Sequence, residues 1–123
     1  MSHEQQWVEL GDRRYPIVFD RLTQLGWTVA DHRAPGPCVV VTNPVVGDLY
    51  ADACLNALGQ AGWKPRLVCV PDGEQAKTIE EWSTLVSALI EQNVDRKTPI
   101  FALGGGVTGD LVGFAAAVTL RGL

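Results

Sequence analysis

Histidine and cysteine are scarce in this chain, positive charge is in deficit, and no long uninterrupted apolar run occurs. Of the two histidines, His3 lies in the N-terminus and His32 in a proline- and glycine-rich loop. No H-E-x-x-H pair, no Ser/His/Asp arrangement and no paired carboxylates at a cleft can be assembled, so the sequence offers no hydrolytic centre and no metal-ligand cluster. The three cysteines, Cys38, Cys54 and Cys69, are odd in number and widely spaced, and no C-x-x-C occurs. That excludes a disulfide framework or a zinc knuckle and reads as small buried hydrophobes in a reducing compartment, the cytoplasm. Ten basic residues face fourteen acidic ones, for a net charge of −4. Nothing here supplies the basic stripe a nucleic-acid partner requires. The opening MSHEQQWVELGD is polar, without the apolar core of a secretory signal. Ile100–Leu120 carries a single charge, Asp110, but glycines at 104, 105, 106, 109 and 113 interrupt it. The clean apolar part, Leu111–Leu120, is about half the length of a membrane span and reads as a buried helix.

What is present is a regular alternation. The 123 residues suit one domain with a real core. WVELGDRRYPIVFD predicts a hairpin of Trp7–Leu10 and Tyr15–Phe19, and Asp20–Gly26 a short helix. Asp31–Pro37 is loop chemistry. CVVVTN then has the β-branched continuity of a strand buried on both faces. Asn43-Pro44 follows as N-cap and N1 proline. Val46, Leu49, Tyr50, Ala53, Ala57, Leu58 and Ala61 recur at helical spacing, and Gly62 stands at C′. Arg66–Val70 predicts a second strand, ended by the turn Pro71-Asp72-Gly73. Thr78 and Glu81 form a capping box, and Ile79, Trp82, Leu85, Val86, Leu89 and Ile90 one apolar face. Pro99–Leu103 is a third strand and Val107–Leu120 a third helix. Strands alternating with helices imply a parallel sheet with right-handed crossovers, a Rossmann-like α/β fold behind a short hairpin.

The carboxyl ends of parallel strands share one rim, where ligands of open α/β sheets bind. Three groups follow these strand ends: Asn43, then Asp72-Gly73-Glu74 with Lys77, then Gly104–Asp110. Gly104-Gly105-Gly106-Val107-Thr108-Gly109 fits G-x-G-x-x-G between strand and helix. Such glycines let a pyrophosphate approach the unpaired amides of the helix N-terminus, or they serve only a tight turn and close helix–sheet packing, a use that Gly113 and Ala115–Ala117 favour. Glu74 can accept from ribose hydroxyls and Lys77 can offer a cation to phosphate; the alternative is two solvated helix-end charges. Asp110 complements the helix dipole or faces a ribose or a metal, and Arg121 is a dipole partner or an anion contact.

VPDGEQAKTIEEW, together with DRKTPIFALGGGVTGDLVGFAAAVTLRG, resembles the 3-dehydroquinate synthase family, and VELGDRRYPIVF is similar to that family's first strands. The resemblance covers nearly the whole chain. It implies that Asp72, Gly73, Glu74 and Lys77 bind NAD, with Gly105, Gly106, Val107, Thr108, Gly109 and Asp110. It places Asn43 where the family has an adenosine-ribose contact, often an aspartate, and Arg121 near the substrate phosphate. It implies an NAD-dependent lyase that turns the sugar-acid phosphate DAHP into 3-dehydroquinate and phosphate in the shikimate pathway, as a homo-oligomer, a dimer. A divalent metal, zinc or cobalt, is expected in a further all-helical metal and substrate domain. Residues 1–123 would then be an incomplete N-terminal NAD-binding domain, with no catalytic or metal-ligating residue of its own and no activity alone. A different sugar-phosphate cyclase, of the 2-deoxy-scyllo-inosose or valiolone synthase type, or a self-associating non-catalytic module, are the competing expectations.

Overall fold

Residues 4–119 are described by a computed structural model. Its centre is strand β3 (Pro37–Thr42), whose Cys38, Val39, Val40 and Val41 are each 2% exposed or less. Two further strands pair with it in parallel, β4 (Lys64–Cys69) on one side and β5 (Ile100–Leu103) on the other, giving the order β4-β3-β5. Because side chains alternate along a strand, β3 supplies two cores. Val39 and Val41 meet Leu85 and Leu89 of α3 (Ile79–Glu91) and Leu111, Val112 and Ala115 of α4 (Gly106–Val118). Cys38 and Val40 meet Cys54 and Leu58 of α2 (Pro44–Gln60), with Trp63 beyond it. Each valine so buried contributes about 1.5–3 kcal/mol. Helices therefore cover both sheet faces, the layering that the alternation predicts.

The helix ends follow their local chemistry. Asn43 caps α2, its side-chain oxygen accepting from the Val46 N–H at 2.9 Å, with Pro44 at N1. Thr78 caps α3 by accepting from the Glu81 N–H at 3.1 Å. The reciprocal half of the expected capping box is replaced, since the Thr78 N–H donates to the Ala76 carbonyl at 2.9 Å. At the far end of α2 the amides of Gly62 and Trp63 bond the carbonyls of Gly59 and Leu58, both at 3.1 Å. This is a Schellman ending; Gly62 takes φ +92°, and Trp63 is turned inward.

Several expectations are corrected. Strand β1 is Glu4–Val8, pairing antiparallel with β2 (Tyr15–Phe19), and Glu9-Leu10 belong to the reversal with a 3-10 turn at Gly11–Arg13. The helix expected over Asp20–Gly26 lies later, as a 3-10 turn at Leu22–Gln24 running into α1 (Leu25–Ala30). On α2 the buried face is Ala51, Cys54, Ala57 and Leu58, while Leu49, Tyr50 and Ala53 point outward. Ile79 and Ile90 at the ends of α3 are exposed. A Cβ on Gly113 would meet no heavy atom within 4 Å, so that glycine does not serve packing. Leu120 lies outside the described residues. No helix among the described residues is long and apolar enough to cross a membrane.

Cys38 and Cys54 are buried as expected, but Cys69 is exposed, on strand β4, which among the described residues is an edge of the sheet. Burial pushes the Cys38 thiol up to about 11, with the neighbouring Cys54 adding to the effect, and burial raises Cys54 as well. Both folded values exceed the ordinary 9.0. The stability these neutral thiols contribute is thus complete below pH 9.0 and lost as pH rises toward about 11. In a disulfide-reagent titration at neutral pH, Cys69 should react in the native protein and the other two thiols only on unfolding. Rapid reaction of all three would contradict the burial.

Candidate functional site

Strand register decides where the outgoing loops emerge. Thr42 is paired with Cys69 on one side and Leu103 on the other, so the three parallel strands end in a single row. The loops beginning at Asn43, Val70 and Gly104 leave from one rim. The chain reverses its direction of travel across the sheet between β3 and β5, the place where such sheets open a ligand crevice.

The glycine loop after β5 divides into two roles. A Cβ on Gly104 would lie 2.8 Å from Thr108 Oγ1 and 2.9 Å from Thr108 Cβ, so this position is closed by packing. On Gly105, Gly106 or Gly109 a Cβ would meet nothing within 4 Å. The packing reading of the glycines therefore holds at Gly104, while Gly105, Gly106 and Gly109 leave the backbone open. Helix α4 also differs from α2 and α3 at its start. Its N-cap is Gly105, no side chain caps it, and its first intrahelical bond comes from the Gly109 N–H to the Gly105 carbonyl at 3.1 Å. Gly105 and Gly106 are exposed, so the first amides of α4 lie at an open surface, with the positive end of the helix dipole behind them.

The second rim loop reaches the first. Gly73 takes φ +92°, the left-handed region that glycine tolerates, and turns the chain into a 3-10 turn at Glu74–Ala76. Ala76 is buried and anchors this turn in the core, while Asp72 and Glu74 stay exposed. Lys77 Nζ lies 2.7 Å from Asp110 Oδ2 and 3.5 Å from Glu74 Oε2. The hydrogen bond that Lys77 donates to Asp110 is the main cause holding its ammonium above the ordinary 10.5, with both carboxylates adding attraction. The pairing it reflects is complete below pH 10.5 and lost as pH rises through the raised value. The PDGE and GGG loops thus stand side by side.

Below the rim lie buried polar residues. Asn43 is 3% exposed and Thr108 1%. Asn43 Nδ2 donates to Thr108 Oγ1 at 3.1 Å, and Thr42 Oγ1 donates to the Leu103 carbonyl at 2.7 Å. Asn43 and Thr108, both expected among cofactor contacts, therefore sit beneath the surface formed by Gly105, Gly106, Glu74 and Lys77. Val107 is half-buried against the α3–α4 core. Arg121 lies outside the described residues. Thr42 was not singled out by sequence; its one signal is a polar side chain ending an apolar strand. Beside the rim an apolar groove of about 490 Å³ is lined by Ile79, Trp82, Leu111 and Phe114, with Lys77 and Asp110 at its edge. A second cavity of about 470 Å³ lies at the opposite end of the strands, near Arg33, Pro37, Lys97 and Pro99. Among the described residues no three His, Cys, Asp or Glu side chains come together, so they do not fit a divalent-metal site and no step is assigned to one.

Solved structures share this architecture. A 2-deoxy-scyllo-inosose synthase superposes with a TM-score of 0.83 at 22% identity, covering 98% of this chain and 34% of that one. The same enzyme has been solved with carbaglucose-6-phosphate, NAD+ and Co2+. ValA, a 2-epi-5-epi-valiolone synthase from Streptomyces hygroscopicus solved with NAD+ and Zn2+, superposes with a TM-score of 0.69 at 29% identity, over 76% of this chain and 26% of that one. The fold is thus the α/β arrangement that these two synthases also contain. Sequence narrows the class. Residues 67–123 match the family model for the 3-dehydroquinate synthase N-terminal region. The 3-dehydroquinate synthases of Syntrophotalea carbinolica and Vibrio atlanticus are each 39% identical, over 100% and 98% of this chain. The chain is thus similar over nearly its whole length to 3-dehydroquinate synthases, and it spans about a third of those relatives' length, 34% and 33%.

Proposed function

We propose that this chain is the NAD-holding unit of a 3-dehydroquinate synthase, the enzyme that forms 3-dehydroquinate and phosphate from DAHP. The observation that carries the reading is the pairing of two features on one rim. Gly105 and Gly106 face open space at the uncapped start of α4, and Lys77 joins the neighbouring loop to Asp110 at 2.7 Å. Bare amides suit a diphosphate, and the exposed carboxylates of Asp72, Glu74 and Asp110 suit ribose hydroxyls. NAD, when bound, supplies a reversible hydride acceptor; the residues here bind and orient it. The chain spans about a third of those relatives' length, and the role proposed for its rim residues is to bind and orient the cofactor, not to hold a metal. The greater identity to 3-dehydroquinate synthases, against 22% and 29% for the other cyclases, favours DAHP over their substrates.

The protein is placed in the cytoplasm, in keeping with three unpaired thiols. A dimer is proposed on the exposed apolar face of β2, Tyr15, Ile17 and Phe19, which a two-stranded hairpin leaves uncovered. The test of the main reading is calorimetric titration of NAD into the purified chain. A Kd of about 1 mM or tighter, some −4 kcal/mol, is expected because part of a cleft holds part of the ligand. No binding at tenfold that concentration would overturn it.

A further inference from the structure

We infer that Asn43 is a positioning residue, which sets the glycine loop through Thr108 and makes no contact with the ligand itself. The geometry of its amide leaves little choice. Its oxygen is committed to the Val46 N–H at 2.9 Å as the cap of α2, which fixes the amide orientation and turns Nδ2 toward Thr108 Oγ1 at 3.1 Å. With exposures of 3% and 1%, Asn43 and Thr108 are both buried. A Cβ on Gly104 would come within 2.8 Å of Thr108 Oγ1 and 3.2 Å of Asn43 Nδ2, so the loop's first glycine is seated on this pair. Thr42, one residue before Asn43, holds the carbonyl of Leu103, one residue before Gly104, at 2.7 Å. Two adjacent residues at the end of β3 thus hold both ends of the turn that leads from β5 into α4. The bond crosses the gap between β3 and β5, where the sheet order reverses. One side chain both starts α2 and fixes the first turn of α4, so the exposed amides of Gly105 and Gly106 are held in place before any ligand arrives. Such preorganisation raises affinity without adding a contact.

The ligand arm of the test rests on the NAD reading above; the exchange arm does not. Asn43→Ser keeps a good cap but is too short to reach Thr108. Thr108→Val keeps the shape and removes the acceptor. Asn43→Asp keeps the cap and accepts from the Thr108 hydroxyl. Without ligand, hydrogen exchange at the Gly109 amide, which closes the first turn of α4 on Gly105, should quicken about tenfold in Asn43→Ser and Thr108→Val, as expected for one lost buried hydrogen bond. The Val46 amide should be unaffected by Thr108→Val. NAD should bind about tenfold more weakly to both variants, the double variant should be no worse than either, and Asn43→Asp should restore binding. Unchanged Gly109 exchange in Thr108→Val would overturn the inference. So would wild-type NAD affinity in Thr108→Val beside a loss in Asn43→Ser, because that pattern marks a direct contact by Asn43. If the wild-type chain binds no NAD, the functional reading fails, and the exchange result alone decides the role of Asn43.

Discussion

A Gly106→Phe chain is expected to fold as the parent does and to lose NAD binding by about 100-fold or more, roughly 2.7 kcal/mol. The two halves of this expectation have separate grounds. Folding is spared because a Cβ at Gly106 meets no heavy atom within 4 Å, and because the residue begins a helix, where any ordinary side chain is favoured over glycine by a few tenths to about 1 kcal/mol. Binding is lost because the ring stands at the open surface over the first amides of α4. Gly104→Ala should behave in the opposite sense. Its new methyl would meet Thr108 at 2.8 and 2.9 Å, an overpacking that costs about 1–3 kcal/mol of stability. Calorimetry and thermal melts of the two variants read the outcomes independently. If Gly106→Phe binds NAD like the parent, the diphosphate does not sit at the start of α4.

Trp63→Ala should give the largest loss of stability, about 3–5 kcal/mol out of a total of about 5–15, and lower the melting temperature by more than about 10 °C. Trp63 is the largest side chain of the core on the α2 face and packs edge-on against Phe101, with ring centroids 6.1 Å apart. Its indole N–H also donates to the buried Gly26 carbonyl at 3.0 Å, tying α1 to the rest of the molecule. Gly26 is pressed onto α2 so closely that a Cβ there would lie 2.5 Å from the Ala57 carbonyl oxygen. Trp63→Phe keeps an aromatic ring but loses the bond and part of the buried volume, and should cost less than Trp63→Ala, about 2–3 kcal/mol. Denaturant melts of both variants decide the matter. A Trp63→Ala chain within 1 kcal/mol of the parent would contradict this account of the core.

The same contacts show what the sequence could and could not disclose. The β-branched run before Asn43 identified the central strand because burial on both faces leaves no polar period. Asn43-Pro44 and Thr78 marked helix starts because capping is local chemistry. Helix α1 was placed too early because Leu25-Gly-Trp-Thr-Val-Ala has poor helical propensity, and its docking by Trp63 and Ala57 comes from residues over thirty positions away. Leu49, Tyr50 and Ala53 read as part of the α2 face yet are exposed, because apolar residues lie on more than one side of this helix and the pattern alone does not fix which side meets the sheet. Gly104 and Gly106 are the same residue type in one motif. Only the three-dimensional neighbours show that one is packed under Thr108 and the other is open. The shared rim was legible from strand order, whereas the burial of Asn43 and its bond to Thr108, 65 residues on, were not.

The most direct test of the central claim, that the start of α4 and the Glu74–Lys77 turn together grip a dinucleotide, is an amide chemical-shift map of the chain titrated with NAD. The largest shifts should fall at Gly105, Gly106 and Val107, with a second group from Gly73 to Lys77. Shifts gathered at the other end of the strands, around Arg33, Lys97 and Thr98, with the glycine loop silent, would contradict it.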